Sequence, residues 1–176
     1  YRKMYVNALG RIGGPSAWRV LCVLAIEDEN DDVRLTCLEH LEEHPSETFV
    51  EYFIGRLNDT DNQIVNRAAL ALGRMKSPTA IRPLIDHLIT SHERMIAPPT
   101  GGTGATFFNG PGISGQGLNA GSSPAVVVKE RQRNEGVLDA LLRLADGVNF
   151  DYEVDAWKQW YASRKRAKSL NGRRDD

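Results

Sequence analysis

Leu9, Leu41 and Leu72 stand at spacings of 32 and then 31 residues, and their neighbours recur with them. The clearest match spans two periods, 63 residues: Gly10-Arg11-Ile12-Gly13-Gly14-Pro15-Ser16-Ala17-Trp18-Arg19-Val20-Leu21 aligns with Gly73-Arg74-Met75-Lys76-Ser77-Pro78-Thr79-Ala80-Ile81-Arg82-Pro83-Leu84. Gly, Arg, Pro, Ala, Arg and Leu fall in register, and Ile26 lands on Ile89. Self-similarity at such a period marks a repeat architecture, in which no unit can bury its oily face alone. Stacked units leave long surfaces free, so the pattern points to binding rather than chemistry.

Within each unit the first segment places apolar residues at i, i+4 and i+8: Val33, Cys37, Leu41, then Ile64, Ala68, Leu72. That is one face of an α-helix. The second segment carries a wider stripe: Ala17, Val20, Leu21, Leu24, Ala25; Phe49, Val50, Phe53, Ile54, Leu57; Ile81, Leu84, Ile85, Leu88, Ile89. The clusters Asp28 to Asp32 and Asn58 to Asn62 suit N-caps of the following helices. Pro15, Pro45 and Pro78 separate the paired helices. The reading is all-α, an α-α superhelix of about four helix pairs, with repeats at about 1–26, 27–57, 58–90 and 134–168.

Composition bounds the partners. With 22 basic and 23 acidic side chains the net charge is -1, which gives no global attraction for nucleic acid or anionic lipid. No apolar run approaches the ~18 residues of a spanning helix. Tyr1-Arg2-Lys3-Met4-Tyr5 reads as a helix already under way, so the chain is expected to be a piece of a longer protein. Cys22 and Cys37 sit at apolar helical positions and are read as buried free thiols, with a bridge between neighbouring helices as the alternative.

Gly73-Arg74-Met75 after Ala68-Ala69-Leu70-Ala71-Leu72, with Ala80-Ile81-Arg82-Pro83-Leu84-Ile85 following, resembles the short HEAT-like repeat of the phycobilisome-lyase type. The resemblance covers residues 1–90, with a degenerate middle unit in which Glu42-Glu43 replaces Gly-Arg. It implies paired antiparallel helices with a concave inner surface and, most often, a protein-binding scaffold. Phe150-Asp151-Tyr152, Ala156-Trp157 and Trp160-Tyr161 resemble the ending of large bacterial HEAT-repeat proteins.

The period breaks after Ile89. From Met95 to Val128 there is no Asp, Glu, Lys or Arg, and eight of the chain's 16 glycines lie between Gly101 and Gly121. A loop this long inside a compact domain is functional or mobile. Met95-Ile96-Ala97 and Ala125-Val126-Val127-Val128 are read as two antiparallel strands of a hairpin inserted over 91–133, before the last unit. The repeat resumes with Val137, Ala140, Leu141, Leu144 and Ala145, and a last helix is expected from about Glu153 to Lys168. Beyond it comes a flexible basic tail over 169–176; Arg164, Lys165, Arg166 and Lys168 belong to the same basic run.

Gly110-Pro-Gly-Ile-Ser-Gly115 matches the letters of a dinucleotide loop but lacks the preceding strand and following helix that such a site needs. His40 and His44, at i and i+4, could share a metal, and His92-Glu93 resembles the His-Glu pairs of the deoxyhypusine hydroxylases. Those enzymes carry several such pairs and this chain has one, so the histidines are read as polar helix ends. Arg11, Arg19, Arg34, Arg67, Arg74 and Arg82 recur with the repeat and are expected to bond loop carboxylates such as Asp31 and Asp61.

The expected function is a non-enzymatic scaffold for a protein or peptide partner, with no cofactor, no metal and no catalytic residue. Partner contacts are expected at the second-helix face and at Val126, Val127, Val128, Phe107, Phe108, Trp157 and Trp160. The alternative reading of the two tryptophans is a capping helix laid on Leu138, Leu141 and Leu142. The alternatives from other classes are a HEAT-like metal enzyme or lyase-type chaperone using His40, His44, His92 and Glu93, and phosphate or nucleic-acid binding through the basic tail.

Overall fold

The computed structural model describes residues 1–96 and 126–171. They fall into two compact units, one built from residues 1–90 and from 132 onward, the other within 91–131.

The first unit is a stack of four helix pairs: α1 (Arg2–Ile12) with α2 (Gly14–Glu27), α3 (Asp31–Glu43) with α4 (Glu47–Arg56), and α5 (Asn62–Met75) with α6 (Ile81–Asp86). The fourth is α7 (Glu135–Leu144) with α8 (Val154–Asn171). The acidic clusters cap helices as expected. Asn30 Oδ1 accepts from Val33 N at 3.2 Å and Asp61 Oδ1 from Gln63 N at 2.8 Å, each satisfying an orphan donor of a first turn.

Two glycines make the α1–α2 corner. Gly13 and Gly14 have φ of 63° and 85°, a region closed to most side chains, and Pro15 then opens α2. Lys76, in register with Gly13, also has a positive φ of 51°, but at ψ 29° it is left-handed helical, whereas Gly13 lies at ψ -166°.

Packing follows the stripes. α1 lies on α3, α2 on α3, α4 on α5 and α5 on α7. Leu21, Cys37, Leu41, Phe53, Ala68, Leu72, Leu84 and Leu141 belong to one continuous buried cluster. Leu9 is half-buried, because no unit of this structure covers the outer side of α1. Gly73 explains part of the repeat motif: a Cβ there would sit 3.1 Å from Ala140 Cα, so the small residue lets α5 and α7 backbones close up. Gly10 does the same for the His40 ring, only 2.5 Å from where its Cβ would be.

Three boundaries differ from the sequence reading. The second-helix stripe was extended to Leu88 and Ile89, but α6 ends at Asp86, and Ile89 opens a strand. The cause is tertiary: Asn134 Nδ2 donates to the His87 carbonyl at 2.9 Å and Asn134 N to that of Leu88 at 3.1 Å. Those carbonyls accept from across the insertion, and no helix continues past them. The strands are accordingly longer than Met95–Ala97 and Ala125–Val128; β1 is Ile89–Ile96 and β2 is Val126–Arg133, paired as a two-stranded sheet. Finally, α8 runs to Asn171, so Arg164, Lys165 and Arg166 lie on the helix, and the tail placed at 169–176 begins with three helical residues.

Candidate partner-binding surfaces

Within the first unit, the residues just before and just after 91–131 are tied together by amides. Asn134 is fully buried. Beyond its bond to His87, its Nδ2 donates to Thr90 Oγ1 at 3.2 Å, and Thr90 Oγ1 donates to Asn62 Oδ1 at 3.0 Å. Asn66 Nδ2 donates to the Asn62 carbonyl at 2.8 Å, while Asn66 Oδ1 accepts from Gly136 N at 2.8 Å. A buried polar network of this kind rigidifies when its members are satisfied. It clamps the chain where it leaves after α6 and where it returns to α7. The fourth helix pair stacks on the third through described contacts of α7 with α5 and α6 and of α8 with α6.

The second-helix face is laced by ion pairs between successive units. Arg56 on α4 reaches Glu27 on α2 at 3.1 Å and Asp59 at 3.4 Å. Thr79 Oγ1 donates to Glu47 at 3.2 Å. Lys158 on α8 and Arg82 on α6 meet at Asp86, at 3.6 and 2.8 Å. Exposed Arg19, Val20, Glu51 and Asp86 alternate along this side, a mixed polar ridge with both signs of charge.

The first-helix side carries the other repeat arginines, and their acceptors are mostly not those expected. Arg67 Nη1 donates to the Ile26 carbonyl at 2.8 Å, and Arg34 Nη1 to the Asp28 carbonyl at 2.7 Å. Arg34 also pairs with Asp31, as expected. Arg74 pairs with Glu42 through two contacts, so Arg74 is a link between units and not an exposed side chain. Asp61 serves as a cap instead. Arg2 Nη1 meets the Asp28 carboxylate at 3.0 Å. Burial opposes ionisation of Asp28, but the Asn30 N–H, Arg2 and Arg34 outweigh it and hold the carboxyl below its usual value.

The expected contact residues separate. Val126, Val127 and Val128 lie on β2, in the second unit. Phe107 and Phe108 fall outside the described residues, as does the glycine run at 110–115. Trp157 is corrected: it is completely buried, its Nε1 donating to the Asp151 carbonyl at 2.9 Å. It meets Phe150 and Trp160 edge to face at 5.2 and 5.6 Å. The ring is core, as a capping helix requires, and no partner can touch it. Trp160 is half-buried with the Arg164 guanidinium 5.4 Å from its ring centre, and Tyr161 beside it is also half-buried.

His40 Nε2 lies 2.9 Å from Asn7 Oδ1, and His44 packs on the Trp18 ring at 4.9 Å. His92 and Glu93 lie on β1. Among the described residues no group of three or more His, Cys, Asp or Glu is placed to hold a metal ion. Cys22 and Cys37 are free, buried thiols, and burial pushes both up to about 12. No described helix is long and apolar enough to cross a membrane. The arginine links between units and the Gly73 contact could have been sought in the sequence, since both recur at the repeat period. The Asn62–Asn66–Asn134 clamp could not, because its members are separated by the insertion.

A search of the curated proteins finds no match. Residues 18–97 match the family model described as HEAT repeats, the stretch from α2 through β1 whose paired helices and inter-unit arginines have just been laid out. Over residues 18–97 the chain is thus similar to HEAT repeats, and its paired helices fit an α-α superhelix.

Proposed function

We propose that this chain is a non-enzymatic scaffold that binds a protein or peptide partner, and that the insertion is its recognition arm. One observation carries the reading: within the first unit the third and fourth helix pairs are joined directly, although residues 91–131 separate them in sequence. Gly73 meets Ala140 and Asn66 meets Gly136, so the described contacts that join these pairs come from the helices themselves. Segments appended to a complete core are where proteins place function. HEAT repeats commonly serve as scaffolds for protein interaction, which supports the same class of activity.

The arm has the means to take a strand. Among the described residues its sheet has two strands, so each has an edge without a neighbour, and the Val126–Val128 run offers β-branched residues on one of them. Adding an extended peptide to such an edge gives affinity through main-chain hydrogen bonds. The charged second-helix ridge supplies a second, more polar contact.

Replacing residues 98–123 by a short Gly-Ser linker tests this. Long loops close at little entropic cost, so thermal unfolding should stay almost unchanged. A photo-crosslinker at position 127 should trap a defined partner protein, and the same protein should be lost from affinity capture by the shortened chain. A large drop in melting temperature would make the insertion packed structure. Undiminished capture would move binding to the helical ridge.

A further inference from the structure

We propose that the second-helix side of the first unit receives an extended segment of a partner protein that carries a carboxylate, a cation and a carboxylate at every third residue. The proposal rests on the scaffold reading and gives its charged ridge a partner of stated chemistry. Arg19 on α2, Glu51 on α4 and Arg82 on α6 stand 32 and 31 residues apart, the spacings of the repeat itself. All three are exposed. At the next position of each helix Val20, Tyr52 and Pro83 form a second line, with Val20 37 % exposed and the other two half-buried. This register is open in the second and third helix pairs, which have neighbours on both sides, as well as in the first.

Charge alternates along the first line as cation, carboxylate, cation. Arg19 and Glu51 have no hydrogen-bond or ion-pair partner among the described residues, and Arg82, 57 % exposed, uses its Nε on Asp86 at 2.8 Å. Gly55 lies one turn beyond Tyr52 on the same helix face and is exposed. A glycine inside a helix weakens it. Gly10, Gly73 and Gly136 have packing reasons, with an atom 2.5 to 3.1 Å from the position of a Cβ, whereas at Gly55 a Cβ would meet nothing within 4 Å. Gly55 thus leaves a clearing beside Tyr52 that the fold itself does not use.

Spacing and charge select the occupant. Neighbouring helices pack ~8–10 Å apart. A chain in the polyproline II conformation rises ~3.1 Å per residue with about three residues per turn, so every third side chain returns to the same side after ~9 Å. A β-strand returns to the same side after ~7 Å or ~13 Å and loses the register. A polyproline segment laid across α2, α4 and α6 therefore presents one side chain to each unit. Negative, positive and negative charges answer Arg19, Glu51 and Arg82, and the pattern fits in either chain direction. The residues between them pack on the line of Val20, Tyr52 and Pro83, as proline-rich segments do on aromatic-lined grooves.

Fluorescence anisotropy of two labelled, end-blocked peptides with the 176-residue chain tests the proposal, at low ionic strength where exposed charges are least screened. Glu-Pro-Pro-Lys-Pro-Pro-Glu should bind at least about tenfold more tightly than Lys-Pro-Pro-Glu-Pro-Pro-Lys. Arg19→Glu, Glu51→Arg and Arg82→Glu combined should exchange that preference. Gly55→Gln should weaken binding at least about threefold while the melting temperature holds or rises, since glutamine favours the helix. The chain with residues 98–123 replaced by the linker should bind the peptide as the wild type does, so the ridge and the arm are tested separately. Equal affinity for the two peptides, no measurable binding of either, or a preference that survives the triple exchange overturns the proposal. Loss of binding on removal of 98–123 overturns it too, by placing the peptide on the arm. Unchanged binding by Gly55→Gln overturns the path beside Tyr52.

Discussion

Arg67 Nη1 donates to the carbonyl oxygen of Ile26 at 2.8 Å, joining α5 to the end of α2 across 41 residues of sequence. That carbonyl lies in the last turn of α2, which ends at Glu27, where helix carbonyls lack partners of their own and the helix dipole favours a cation. Arg34 and Arg2 complete the corner at the Asp28 carbonyl and carboxylate. Arginines from three successive first helices therefore converge on one inter-unit turn.

Arg67→Ala removes the only hydrogen bond described for that guanidinium and leaves a half-buried carbonyl to find water. The expected loss is about 1–3 kcal/mol, the range for hydrogen bonds to charged groups. Urea denaturation should show it as a lower midpoint with unchanged slope. Arg67→Lys should recover only part of the loss, since one ammonium does not reproduce the reach of the planar fork. An unchanged midpoint for Arg67→Ala would show that the corner is held without it.

Lys76 offers a change in the other direction. It sits at φ 51° and ψ 29° after α5, where a side chain costs about 1–2 kcal/mol relative to glycine. Its counterpart in register, Gly13, also has positive φ, though at a different ψ. Lys76→Gly should stabilise the protein by ~0.5–1 kcal/mol, part of the relief being lost to the freer unfolded chain. Differential scanning calorimetry would read a gain of a few degrees, and a lower melting temperature would contradict the account.

The repeat was legible because its cause is local. Leu41 and Leu72 are buried where the spacing placed them, and Asn30 and Asp61 cap where acidic clusters predicted. What the spacing missed is tertiary. Ile89 matches Ile26 in register yet starts a strand, because Asn134, brought close only by folding, takes the carbonyls of His87 and Leu88. The degenerate middle unit is similar. Glu42 stands where the other units have glycine, and it supplies the acceptor for Arg74 of the next unit. The irregularity is thus half of a link between repeats. Among the contact residues, Trp157 and Trp160 read alike as aromatic anchors; helical phase around Phe150 separates them, and no spacing encodes that.

Acid should weaken the stack through Asp28. Its carboxyl is held below the usual value in the folded chain, with Asn30, Arg2 and Arg34 outweighing burial. In the unfolded chain it returns to about 3.9. The sign follows: the unfolded state takes up the proton first, so the stabilisation is present above about pH 4 and is lost as pH falls through the folded value. Denaturation midpoints at neutral pH and at about pH 3 should differ more in the wild type than in Asp28→Asn. Equal acid sensitivity in both would assign the effect to other carboxylates.

The last layer separates stability from recognition. Trp157 is fully buried between Phe150 and Trp160 and donates its N–H to Asp151, so Trp157→Ala opens a large cavity and orphans a carbonyl. The expected cost is about 3–5 kcal/mol. Trp160 is half-buried beneath Arg164, and Trp160→Ala forfeits part of its area and a cation–π contact of about 0.5–1 kcal/mol. If α8 contributes to partner binding, Trp160→Ala lowers affinity at unchanged cooperativity, whereas Trp157→Phe, which keeps the ring volume nearly filled, leaves affinity alone. Thermal melts of the three variants beside crosslinking yields from position 127 distinguish the cases. A Trp157→Ala protein as stable as the wild type would mean that the capping helix is not docked through this ring at all, and the fourth pair would then need another anchor.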